Sequence, residues 1–223
     1  MVDHRLQLVE TDRHLVIARV EMIKTVIFDL GKVIIPFDFT RGYRGLEQVC
    51  GIPAAEIPLR IGATDLVHRF ESGLVEPHDF VDQLTRMLDL RVSYDQFCEI
   101  WSSIFLPDPL IPESLLEGIS QRFRLLLLSN TNAIHFPMLQ KTYPLLRHFH
   151  ANVLSYEVRA LKPSPVIYRE AIARAQCRPE ECFFTDDIAD YVAGARREGI
   201  DAVQFESSAQ IERELRARGV HWA

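Results

Sequence analysis

Met22-Ile-Lys-Thr-Val-Ile-Phe-Asp29-Leu-Gly31 is the stretch that decides the fold. Thr25 to Phe28 is a short apolar run that ends in an acid and a glycine, the pattern of a strand buried on both faces that empties into a loop. Working outward, three more runs have this texture: Arg124-Leu-Leu-Leu-Leu128, Cys182-Phe-Phe-Thr185 and Asp201-Ala-Val-Gln-Phe205. Helical patterns follow them over Ala133 to Lys141, Ile188 to Glu198 and Ala209 to Arg218, and a further helix from Pro165 to Ala175 precedes the Cys182 run. Such alternation predicts the α/β class, a parallel sheet with helices on both faces.

The chain has 223 residues, which at roughly 150 residues per domain suits one core carrying a large insertion. The insertion is placed from Asp38 to Asp108, where helical periodicity is broken at Gly51-Ile-Pro53, Gly73 and Pro77 and strand-like runs are few. Pro107-Asp-Pro109 closes it, and a helix from Pro112 leads back into the sheet, so residues 1–37 and 109–223 form the core. Residues 1–21 fit two readings: Met22 is the real start, or Leu15 to Val20 adds an edge strand.

Hydrophobic residues at 48% and charged residues at 25% exclude disordered, collagen-like and fibrous classes. With 25 basic against 31 acidic residues the net charge is −6, and the basic residues are scattered, so neither nucleic acid nor an anionic membrane is expected as a partner. Apolar runs such as Leu125 to Leu128 fall far short of the ~20 residues of a bilayer span, and His14 to Ala18 is no signal peptide. Cys50, Cys98, Cys177 and Cys182 show no metal-binding spacing and suit reduced structural thiols of a cytoplasmic protein, with a catalytic cysteine the lesser reading; a monomer or homodimer is expected.

In an open parallel sheet the ligand crevice lies beyond the carboxyl ends of the strands. There the sequence delivers Asp29, Ser129-Asn130-Thr131 and Asp186-Asp187, with Lys162 ahead of the helix between them. Several carboxylates facing a phosphoryl group make sense if a hard cation such as Mg²⁺ takes their oxygens. Asp29 is then the nucleophile, forming an acyl phosphate that water hydrolyses. Ser129, aided by backbone amides after it, holds a phosphoryl oxygen, and Lys162 offsets transition-state charge.

The order and spacing of Phe28-Asp-Leu-Gly31, Leu128-Ser-Asn-Thr131, Leu161-Lys-Pro163 and Phe184-Thr-Asp-Asp187 resemble the four motifs of the haloacid dehalogenase superfamily of phosphatases, from about Met22 onward. The resemblance implies a Rossmann-like core, with the insertion between the first and second motifs acting as a helical cap. More narrowly, it is similar to the sugar-phosphate branch that contains bacterial alpha-D-glucose-1-phosphate phosphatase, with the phosphatase domain of soluble epoxide hydrolase a looser relative. It implies Asp29, Ser129 and Lys162 as catalytic residues, Ser129, Asn130 and Lys162 at the substrate, and Asp29, the Gly31 carbonyl, Asp186 and Asp187 as Mg²⁺ ligands. The expected function is Mg²⁺-dependent hydrolysis of small phosphorylated metabolites, sugar phosphates foremost. Two positions depart from the pattern. Gly31 stands where most relatives have a second Asp as general acid, and Tyr191, beside Asp190, stands where relatives often have Asn. The departure at Gly31 keeps open a rival reading, a phosphate-binding or regulatory protein with poor turnover; dehalogenation is a weaker rival, since a carbon centre needs no metal-binding acids.

Other residues have ordinary structural explanations. Ser129 to Asn132 reads as a helix N-cap cluster that doubles as an anion site, and Lys32 as a loop lysine. His135 and His148 lack metal-ligand spacing, and Phe97, Trp101 and Phe105 read as cap core. Arg41, Arg44, His68, Arg69 and Glu71 are the cap's candidates for substrate contact, most of them expected to be surface charges.

Overall fold

The computed structural model describes residues 7–9, 16–18 and 22–222. β1 (Gln7–Val9) and β2 (Val16–Ala18) form their own antiparallel pair with Leu8 opposite Ile17. Residues 16–18 are therefore a strand, but they pair locally instead of extending the edge of the main sheet. The remainder of the Leu15 to Val20 reading lies outside the described residues.

β3 (Thr25–Phe28) is buried along its whole length. The chain then enters five helices, α1 (Phe39–Cys50), α2 (Ile57–Gly62), α3 (Leu66–Glu71), α4 (Pro77–Leu88) and α5 (Tyr94–Ser102). Asp38 starts α1 by accepting the Thr40 N–H at 2.9 Å, and a Ser93/Gln96 capping box starts α5. Their apolar faces share one core, in which Phe70 stacks on Phe80 with ring centroids 4.0 Å apart and Phe97 stacks on Trp101 at 5.6 Å. The chain leaves and rejoins the sheet at adjacent points. Asp38 N–H donates to the Ile104 carbonyl at 2.8 Å and Leu106 N–H to the Pro36 carbonyl at 2.9 Å.

Beyond this lie α6 (Glu113–Ser120), β4 (Arg124–Ser129), α7 (His135–Thr142), a 3₁₀ turn at Pro144–His148 and β5 (Ala151–Leu154). Then come α8 (Ser155–Val158), α9 (Pro165–Ala175), a 3₁₀ turn at Pro179–Glu181, β6 (Cys182–Asp186), α10 (Ala189–Arg197), β7 (Asp201–Gln204) and α11 (Ser208–Ala217). β3 to β7 form a parallel sheet in the order β5-β4-β3-β6-β7. Alternate strand residues serve opposite faces. Val26, Phe28, Leu125 and Leu127 join Leu116, Leu139 and Ile211 on one side, while Ile27, Leu126, Leu128 and Phe184 join Ile167, Tyr168 and Val192 on the other. The expected Rossmann-like α/β core with a helical insertion between the first two motifs is what the structure contains.

The four cysteines are free, although Cys177 and Cys182 bring their sulfurs to 3.5 Å. Among the described residues, no helix is long and apolar enough to cross a membrane.

Candidate active site

The sheet order reverses on either side of β3, which opens a crevice at the strands' carboxyl ends. Asp29 follows β3, Ser129 ends β4 and Asp186 ends β6, so three predicted residues arrive there by register alone. The main chain locks this alignment, with Asp29 N–H donating to the Thr185 carbonyl at 3.0 Å.

Lys162 joins them from the loop ahead of α9. Its Nζ donates to Asp29 Oδ1 at 2.6 Å, to Asp186 Oδ2 at 2.5 Å and to the Leu128 carbonyl at 3.1 Å, which occupies all three ammonium hydrogens. All three charged residues are buried. The Asn130 side chain braces this lysine: its Oδ1 accepts the Lys162 N–H at 2.8 Å and its Nδ2 donates to the Lys162 carbonyl at 3.1 Å. Asn130 Nδ2 also donates to the Tyr191 hydroxyl at 3.3 Å, and the Tyr191 ring lies 5.2 Å from Lys162 Nζ. Tyr191 thus forms part of the crevice wall.

Carboxylate oxygens of Asp29, Asp186 and Asp187 lie within 4.8 Å of one another. Three acids against one lysine leave an excess of negative charge, with Asp29, Asp186 and Lys162 buried and Asp187 half-buried. Burial pushes the Asp29 carboxyl up to about 7, against the pull of Lys162 and with a further push from Asp186. Burial works against the Lys162 ammonium, but Asp29 and Asp186 outweigh it and hold the amine charged above the ordinary lysine range. Burial and Asp186 raise the half-buried Asp187 as well, with Lys32 opposing them. An all-oxygen donor set with surplus negative charge fits a hard divalent cation.

The Ser129 hydroxyl makes no hydrogen bond among the described residues, although the residue is buried. The cap of α7 comes from Asn132 instead, whose Oδ1 accepts the Ile134 and His135 N–H groups at 3.1 and 2.9 Å. Thr131 is tied to Ser155, whose Oγ accepts the Thr131 N–H and donates to its carbonyl, both at 3.0 Å. Ser155 escapes a sequence reading because Ala151-Asn-Val-Leu154 is too short and too polar to stand out as a strand.

Gly31 has a neighbour that the sequence does not announce. A Cβ built there would lie 2.7 Å from Phe37 Cε1, so a side chain at 31 requires that ring to shift. Lys32 is exposed, in the left-handed region at φ 57°, with its Nζ 5.1 Å from the centroid of the same ring. Of the insertion's candidates, Arg41, Arg44, His68 and Arg69 are exposed and Glu71 is half-buried. His135 is packed: Nε2 meets the Trp101 carbonyl and Nδ1 meets Asn132 Nδ2, both at 3.1 Å, which joins α7 to α5. His148 meets Glu113 Oε1 at 2.9 Å. A hollow of about 320 Å³ beside Arg69, Gly73, Glu76 and Arg159 holds none of the crevice acids, so chemistry rather than volume locates the site.

Residues 23–199 match the family model of haloacid dehalogenase-like hydrolases. The chain belongs to that family. It is similar to D-ribitol-5-phosphate phosphatase of Bacteroides thetaiotaomicron, at 25% identity over 201 residues covering 87% of this chain and 97% of the relative. It is also similar to a phosphatase of Mycobacterium tuberculosis, at 27% identity over 202 residues covering 84% and 89%. Among solved structures, a haloacid dehalogenase family enzyme of B. thetaiotaomicron in complex with magnesium and inorganic phosphate superposes with a TM-score of 0.76 at 28% identity, covering 83% of this chain and 95% of that one. This hydrolase therefore shares both halves of its architecture, sheet and helical insertion, with relatives of nearly its own length.

Proposed function

We propose that this hydrolase is a Mg²⁺-dependent phosphatase of small phosphorylated metabolites, sugar or polyol phosphates foremost, acting through an aspartyl-phosphate at Asp29. The observation that carries this reading is the buried cluster in which Lys162 bridges Asp29 and Asp186, with Asp187 alongside. Its resemblance to a ribitol-phosphate phosphatase, and to an enzyme crystallised with magnesium and phosphate, supports the same reading.

Asp29, Asp186, Asp187 and the Gly31 carbonyl are assigned to hold the metal. When bound, Mg²⁺ would offset the negative charge that otherwise keeps a phosphate dianion out of a crevice of carboxylates. Asp29 supplies the oxygen that attacks phosphorus. The unpartnered Ser129 hydroxyl donates to a phosphoryl oxygen. Because the Thr131 N–H is bonded to Ser155, the Asn130 amide is the backbone group assigned to assist it. Lys162 acts as charge redistributes over the phosphoryl oxygens, and Asn130 holds its backbone in place. Residues 38–108 form the cap that selects the group beyond the phosphate. Phosphate release from a panel of sugar and polyol phosphates, with and without Mg²⁺, tests the proposal. Release that requires Mg²⁺ and is strongest on one sugar or polyol ester is expected; substrate turnover equal in excess chelator would overturn it.

A further inference from the structure

Gly31 has no side chain to supply a proton beside the leaving oxygen, and the Phe37 ring lies where a Cβ at 31 would be, 2.7 Å from its Cε1, so a side chain there needs that ring to move. The donor must come from elsewhere. We propose that Glu71, at the end of α3, is the general acid that protonates the departing oxygen. This rests on the phosphatase reading above.

Position is the first argument. Two residues after Glu71 the chain turns at Gly73, whose φ is +63° and where a Cβ would lie 2.0 Å from the Tyr156 carbonyl oxygen. The turn is therefore pressed backbone to backbone against α8. The residue before Tyr156 is Ser155, bonded twice to Thr131 in the loop that carries Ser129. The end of α3 is thereby anchored on the rim of the phosphate loop. The second argument is the Tyr191 hydroxyl, where the Glu71 charge is felt; that hydroxyl accepts from Asn130, and its ring stands beside Lys162. The third is that the Glu71 carboxylate takes no hydrogen bond or ion pair among the described residues, whereas its neighbour Asp65 lies 3.9 Å from Arg69. A half-buried acid without a partner, close enough to the crevice wall to act on Tyr191, is free to engage a substrate. Burial pushes the Glu71 carboxyl up to about 7, which keeps a large protonated fraction at neutral pH.

The step balances as follows. An Asp29 oxygen forms a bond to phosphorus as the ester P–O bond breaks, and the departing oxygen takes the Glu71 proton, giving alcohol, aspartyl-phosphate and a Glu71 carboxylate. Water then forms a bond from its oxygen to phosphorus as the Asp29 O–P bond breaks, and gives its proton to Glu71, which releases hydrogen phosphate and restores the Asp29 carboxylate and the protonated Glu71.

The test uses the full chain with Mg²⁺ and a series of aryl and alkyl phosphates of rising leaving-group basicity, comparing the parent with Glu71→Gln and Glu71→Asp. The expected result is a Gln loss that grows along the series, small for nitrophenyl phosphate and about 10²-fold for alkyl esters, with part of the alkyl rate recovered by Asp. A Gln loss equal for all leaving groups, no loss, an effect on KM alone, or Gln and Asp variants that behave alike would each overturn the assignment. If the parent releases phosphate from no ester, the phosphatase reading fails first and takes this proposal with it.

Discussion

The crevice and the helical insertion are stabilised in opposite ways. At the end of the sheet the protein buries three charged groups, Asp29, Lys162 and Asp186, in a bonded cluster that leaves excess negative charge. In the insertion the interior is aromatic and aliphatic, with Phe70, Phe80 and Phe97 fully buried and no charged residue fully enclosed among the described ones. A buried ion cluster seldom adds net stability, because desolvation consumes most of the Coulombic gain; a stacked aromatic core does add it. The core thus carries a costly charge arrangement for chemistry on a sheet strong enough to hold it. The insertion is free to vary its surface, and it touches the core through a few specific contacts, among them Gly73 on Tyr156 and His135 on Trp101.

That contrast can be broken from the crevice side first. Asp29→Asn should reduce phosphate release on the order of 10³-fold or more, measured as steady-state turnover, because the amide oxygen is a poor nucleophile. Folding should be kept, since the amide is nearly isosteric.

Lys162→Met should destabilise the metal-free protein by about 3–5 kcal/mol in a denaturant titration, because two buried carboxylates lose their common cation. The same variant should recover more stability on adding Mg²⁺ than the parent does, since the crevice then has no cation of its own. Equal recovery would mean that the acids are not the cation's ligands.

On the insertion side, Gly73→Ala should cost about 2–4 kcal/mol, since a methyl meets the Tyr156 carbonyl and the left-handed backbone disfavours any Cβ. Hydrogen exchange should show the loss concentrated in α3 and α8; a loss spread evenly over the sheet would contradict the docking role given to this turn.

His135 sharpens the comparison through pH. Burial pulls its imidazole down to about 4 from the ordinary 6.5, partly opposed by the Trp101 carbonyl. A depressed folded pKa means that the unfolded chain takes up the proton first. The contribution is therefore complete above pH 6.5 and declines as pH falls toward 4, by up to about 3 kcal/mol. The parent should lose this stability relative to His135→Gln across that window, and parallel pH curves would show that the imidazole does not stay neutral in the folded protein.

The sequence by itself determined the parallel sheet and the crevice acids. Buried strands read as unbroken apolar runs, and Asp29, Ser129 and Asp186 need only the end of a run and the register of its neighbours to meet. Lys162 and Asp187 were legible for a related reason, as their distance along the chain from those runs matches the family pattern. β5 and Ser155 were not, because a four-residue edge strand carries too few apolar positions to rise above its surroundings. Tertiary structure alone decided that Asn130 serves the Lys162 backbone, that the Phe37 ring lies where a side chain at 31 would go, and that of five polar candidates in the insertion only Glu71 is partly withdrawn from solvent. Each of these depends on where two distant segments come together in space, and the local pattern of apolar and polar residues encodes which face a residue serves, not which distant atom it will meet.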